Sequence, residues 1–87
     1  MKITKRNGNT TLYDETKVAR SILRANQEVS GEEMTEVGAA RIADEVFSRL
    51  TEHSEIITTR EIRDCLFTVL CERGYVQTAE HYRDFRK

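Results

Sequence analysis

Lys5, Arg6 and Lys17 are spaced so that they can meet a single anion. Lys5 and Arg6 close a short extended run, and Lys17 follows the next extended run, where a helix begins. Between them stands Asn7-Gly8, a strong hairpin signal, because both central residues of a tight two-residue turn take φ > 0 and Asn and Gly tolerate it. A strand, a turn, a second strand and a helix start would bring the three side chains to a helix N-terminus. There, unpaired N–H groups and the positive end of the dipole favour a phosphate chain. First helical turns otherwise favour acids, so Lys17 runs against local preference, a departure of the kind that accompanies function or strain. The plain alternative is that all three are solvated surface charges.

Charge distribution says more than the sum. Formal net charge is −1, which argues against a general nucleic-acid-binding surface. Yet residues 2–24 carry six cations against two anions, whereas residues 28–55 carry two cations against eight anions. Basic character is thus concentrated in the hairpin and the first helix, where a local anionic ligand fits.

Other chemistries find little support. There is no Gly-x-Ser-x-Gly and no Ser, His and carboxylate at nucleophile spacing. No Gly-x-x-x-x-Gly-Lys-Ser/Thr occurs, so neither ATP hydrolysis nor any other enzymatic activity is expected. Cys65 and Cys71 would point about 120° apart on one helix, so they neither pair nor share a metal. His53 and His81 stand far apart, and no zinc or other structural metal is expected. His53 reads as a helix-end cation, His81 as a surface or rim residue, and the carboxylates of the second helix as a solvated face. No apolar run approaches the length of a membrane span and no signal peptide is expected, so a reducing cytoplasm is the natural setting.

Eighty-seven residues without a proline point to one mainly helical domain over 1–87. Asp14 is an N-cap for a first helix over roughly 15–27, with Val18, Ala19, Ile22 and Leu23 as its apolar stripe and Asn26 at the edge. Ser30-Gly-Glu-Glu33 reads as a capping box opening a second helix to about Leu50, with Ala39, Ile42, Ala43, Val46, Phe47 and Leu50 inward. Glu55-Ile-Ile-Thr58 predicts a brief third strand. Thr58-Thr-Arg-Glu61 is a second capping box, and the helix behind it turns Ile62, Cys65, Leu66, Val69 and Leu70 to one face. Gly74 ends that helix, and a fourth runs from about Val76 with Ala79, Tyr82 and Phe85 inward. Phe67 and Cys71 fall off the stripe. The expected fold is α+β: a four-helix bundle capped by a small N-terminal β-hairpin or three-stranded sheet.

Ile3-Thr-Lys-Arg-Asn-Gly8, Leu12-Tyr-Asp14 and Lys17-Val18 together resemble the opening of the ATP-cone domain, the regulatory nucleotide-binding module of ribonucleotide reductases and of the repressors of their genes. Ile57-Thr-Thr-Arg-Glu-Ile-Arg-Asp64 is similar to the family's third-helix start, and Ala79-Glu-His-Tyr-Arg-Asp-Phe85 to its closing segment. The resemblance covers the whole chain in the family's order. It implies a non-catalytic domain that binds ATP or dATP as an allosteric effector, with or without Mg²⁺, and controls assembly or activity of a partner. That partner would be a second copy of the chain or a separate regulated protein, and nucleic acid is not expected. By position, Ile3 and Val18 would pack the adenine, and Lys5, Arg6 and Lys17 would hold the triphosphate. Asp14, Thr59 and Arg63 would face the same pocket, with Arg83 as a further cation. Thr11 departs from the family, which often has an acid there. A ligand-free protein-interaction domain of the same fold, and a DNA-binding helical domain, are the competing readings. The third helix, where Glu61 and Asp64 offset Arg60 and Arg63, is not a basic recognition helix.

Overall fold

Polar residues at the helix ends, more than the apolar stripes, decide where each element of this chain starts and stops. The computed structural model describes residues 2–4, 10–52 and 56–85. Lys5, Arg6, His53 and the expected Asn7-Gly8 turn lie outside the described residues. The architecture is mainly helical: α1 (Glu15–Gln27), α2 (Glu36–Thr51), α3 (Thr59–Glu72) and α4 (Val76–Phe85). Three-residue strands β1 (Lys2–Thr4), β2 (Thr10–Leu12) and β3 (Ile56–Thr58) lie beside them with β1 in the middle. β1 runs antiparallel to β2, with Ile3 opposite Thr11, and parallel to β3, with Ile3 opposite Ile57. Ile3 and Ile57 are buried, while Leu12 and Ile56 are exposed.

Asp14 caps α1 as its position implies, its Oδ1 accepting from the N–H groups of Thr16 (3.0 Å) and Lys17 (3.2 Å). Thr58 caps α3 in a reciprocal box with Glu61. Gly74, at φ +90°, closes α3 in the left-handed region open to glycine. The N–H of Tyr75 reaches the Leu70 carbonyl at 2.8 Å and that of Gly74 the Cys71 carbonyl at 3.1 Å, the paired bonds of a Schellman motif.

The capping box expected at Ser30–Glu33 does not form. Helix α2 starts later, at Glu36, with Thr35 as its cap, accepting from Gly38 N–H at 3.0 Å. Gly31 sits at φ +84° and turns the chain away from helical geometry. Asn26, expected at the edge of the α1 stripe, is instead buried, and its amide bonds the backbone of Glu32 and Met34 in the non-helical stretch before α2. Its Nδ2 donates to the Glu32 carbonyl, and its Oδ1 accepts from the Met34 N–H at 3.0 Å. The Glu32 carboxylate thereby caps a different helix, 45 residues on. Oε2 accepts from the Gln77 N–H at 3.0 Å, and Oε1 from the Thr78 N–H at 2.9 Å and the Thr78 hydroxyl at 3.0 Å. Thr78 is fully buried and also accepts from Asn26 Nδ2 at 3.0 Å. Every donor in this cluster has a partner, which is what makes burying it tolerable.

The core behind it follows the apolar stripes. Ile22, Ile42, Val46, Leu66, Val69, Leu70 and Ala79 are among the most deeply buried residues, with Tyr82 and Ile62 at its edge. Phe67 and Cys71 are half-buried against this core, and the Arg83 guanidinium lies 4.7 Å from the centre of the Phe67 ring. The Tyr13 hydroxyl donates to the Ala43 carbonyl at 2.9 Å, tying the β2–α1 junction to α2. Burial, with the Glu15 charge adding, pushes the Tyr13 phenol far above its usual range, so it stays a donor.

Desolvation acts to raise the Glu32 carboxyl, but the hydrogen bonds from Gln77 and Thr78 outweigh it and hold the group below the usual carboxylate range. A depressed folded-state value means that ionised Glu32 contributes stability above the unfolded value and loses it as the pH falls through the folded one. Glu32→Ala is expected to lower unfolding free energy by about 1–2 kcal/mol at neutral pH, the scale of a lost helix cap. The gap between wild type and Glu32→Gln is expected to be constant above about pH 5 and to narrow as the pH drops below the usual glutamate value of about 4.3. Denaturant titrations across pH measure both.

Candidate functional site

The first turns of α1 and α3 come together beside β1, and α4 closes the gap between them. The result is a cleft of about 300 Å³ lined by Ile3, Lys17, Val18, Ser21, Thr59, Ile62, Arg63 and Tyr82. That volume is at the small end of ligand sites, for which about 300–1,000 Å³ is usual. Ile3 comes from the centre of the strands, Lys17, Val18 and Ser21 from α1, Thr59, Ile62 and Arg63 from α3, and Tyr82 from α4. Ile3, Val18, Ile62 and the Tyr82 ring make most of the wall apolar.

Of the polar groups on this wall, the Ser21 and Tyr82 hydroxyls are hydrogen-bonded to each other. Among the described residues, neither Lys17 nor Arg63 pairs with an acid. Thr58 does the capping of α3, so the Thr59 hydroxyl is not used for it. Two helix N-termini, Lys17 in one first turn and Thr59 in the other, contribute positive dipole ends beside the two cations. Such a wall sets an apolar surface beside concentrated positive charge.

Of the residues singled out in the sequence, the cleft gathers Ile3, Lys17, Val18, Thr59 and Arg63. Lys5 and Arg6 lie outside the described residues, as does the Thr11 side chain. Asp14 does not line the cleft and acts as the α1 cap. Arg83 does not line it either and is engaged with Phe67. Ser21, Ile62 and Tyr82 were not anticipated as site residues. For Ser21 the available signal was its place one helical turn beyond Lys17, on the same face. Ile62 and Tyr82 fall in the segments that carry the resemblance but were assigned only to core stripes, and both are indeed largely buried.

A second cleft, of about 410 Å³, lies between α2 and the α3–α4 turn, lined by Gly38, Arg41, Ile42, Arg73 and Tyr75. It is larger, but its Arg73 is already engaged by Glu45 at 3.3 Å, which puts an acid beside any anionic ligand. The carboxylates of α2 are therefore not all a solvated face, since Glu45 also binds Arg49, which reaches Glu72 on α3 at 2.7 Å. Burial pushes the Cys65 thiol up, away from nucleophilic use. Among the described residues no His, Cys, Asp and Glu group could hold a metal ion, and no helix is long and apolar enough to cross a membrane.

A family model, the ATP cone domain, matches residues 1–87. The chain belongs to the ATP-cone family. No curated protein matches it. ATP cones are regulatory nucleotide-binding modules, and the domain itself is non-catalytic. In this ATP cone, Ile3, Lys17, Val18, Thr59 and Arg63, which helped carry the resemblance, line the cleft, while Asp14 and Tyr13 fix the helices around it.

Because Lys17 is exposed and has no acidic partner among the described residues, Lys17→Ala is expected to keep the unfolding free energy within about 0.5 kcal/mol of wild type. Arg63→Gln, which keeps part of the packed stem, is expected to behave alike. Urea denaturation followed by circular dichroism is the measurement, and a loss of several kcal/mol in either variant would make that cation structural.

Proposed function

We propose that the cleft is an effector site that binds an adenine nucleoside triphosphate, ATP or dATP, with or without Mg²⁺, and does not consume it. Ile3, Val18 and Ile62, with the Tyr82 ring, pack the base. Lys17 and Arg63 take the phosphates, together with Lys5 and Arg6, two and three positions past Ile3 in the chain. Thr59 adds a hydroxyl, and Asp14 holds the α1 start that places Lys17. The observation that carries the reading is the pair of cations, Lys17 and Arg63, without an acidic partner among the described residues and set beside two helix N-termini on an otherwise apolar cleft. It favours a ligand-binding domain over a ligand-free interaction domain of the same fold.

A ligand in this cleft touches β1, α1, α3 and α4 together, so binding energy is available to change how they pack. The regulated partner is a second copy of this chain or a separate protein, and the setting is the cytoplasm. Calorimetry with ATP, dATP, GTP and AMP tests the binding. ATP is expected to bind more tightly than AMP, each charge-assisted phosphate contact contributing about 1.5–3 kcal/mol. Lys17→Ala is expected to weaken ATP about tenfold or more and to leave AMP nearly unchanged. AMP binding as tightly as ATP would sink the phosphate assignment. Phosphate release is expected to stay far below the rate of about 1 s⁻¹ at the low end of enzymes. Light scattering with and without nucleotide then reads the effect on assembly.

A further inference from the structure

Ser21 is a small polar residue among the apolar lining of the cleft, a helical turn further along α1 than Lys17. Its hydroxyl carries a single proton, and that proton is committed. Oγ donates to the Val18 carbonyl of its own helix at 2.7 Å, a short and well-formed bond. The same hydroxyl lies 3.4 Å from the Tyr82 oxygen on α4, a second and longer acceptor for that proton. Two lone pairs remain on Ser21 Oγ, and neither of these bonds uses them. What this half-buried oxygen has left to offer a ligand is therefore acceptor capacity. A ligand N–H placed against it gains a hydrogen bond at no cost to the existing ones. A ligand carbonyl placed there meets lone pairs, unless the serine proton leaves Val18.

We propose that Ser21 is a specificity-determining residue, accepting a hydrogen bond from the 6-amino group of the purine held in the cleft. The assignment rests on the nucleotide-binding reading above and deepens it. Its neighbours favour the base over the rest of the ligand. Val18, Ile62 and the Tyr82 ring surround Ser21 with apolar surface suited to a flat heterocycle, while the cations Lys17 and Arg63 suit the phosphates. The ribose hydroxyls are the other donors on the ligand, and they are separated by experiment.

The test compares ATP with purine riboside 5′-triphosphate, which lacks only the 6-amino group, and with dATP, in wild type and Ser21→Ala. The substitution removes one oxygen from a helix surface, and circular dichroism checks that the fold is kept. Wild type is expected to prefer ATP over the desamino analogue by about fivefold, the scale of one net hydrogen bond. In Ser21→Ala that preference is expected to fall close to one, with the ATP-to-dATP ratio unchanged. Equal wild-type affinity for ATP and the analogue would overturn the Ser21 assignment and leave the nucleotide site standing. A change in Ser21→Ala confined to the ATP-to-dATP ratio would move the contact to the ribose and overturn it as well. No binding of any triphosphate by wild type would overturn both readings.

Discussion

A buried polar knot between α1 and α4 governs how the rest of this domain is arranged. Asn26, Glu32 and Thr78 come from one helix, the loop that follows it and a second helix, and each bonds the other two. A polar cluster with all its donors satisfied tolerates one arrangement, because any shift leaves a buried group without a partner. Apolar packing alone is more permissive and would let α4 slide or turn on α1. The knot thus fixes the register of α4, and one turn beyond Thr78 on the same helix stands Tyr82. The wall of the cleft is placed from a distance by groups that never touch its contents.

The same economy governs the helix starts. Each first turn at the cleft is capped by the residue before it, Asp14 for α1 and Thr58 for α3. Capping from outside the helix satisfies N–H groups without using the side chains of the first turn. Lys17 and Thr59 are thereby left to line the cleft. Elsewhere on the surface charges are spent on one another: Glu45 and Glu72 hold Arg49 and Arg73 between α2 and α3. Such exposed pairs contribute little to stability, yet they neutralise that face. Among the described residues no acid pairs with Lys17 or Arg63, where two helix dipoles add to the positive charge.

Much of this was legible in the chain. Apolar residues at helical spacing placed the four helices, because burying a stripe dominates helix stability in a folded domain. Thr58 with Glu61, Asp14, and Gly74 marked their ends through local hydrogen bonds that need only neighbouring residues. Ser30 with Glu33 had the same local credentials and failed, because Asn26 ties the backbone of Glu32 and Met34 and Glu32 finds donors at the start of α4. A capping motif states what a segment can do alone, and a partner 45 residues away outbids it.

For the site, the sequence by itself determined the cations, the helix starts they flank and the family the whole chain belongs to, since these depend on residue type and spacing along the chain. Tertiary structure alone decided that Ile3, Val18 and Ile62 share one wall, that Ser21 and Tyr82 meet across two helices, and that Arg83 turns to Phe67 instead of the cleft. The physical reason is that a core stripe and a ligand wall read alike in sequence. Both are apolar at helical spacing, and only the packing of α4 against α1 and α3 settles which part of each stripe stays open.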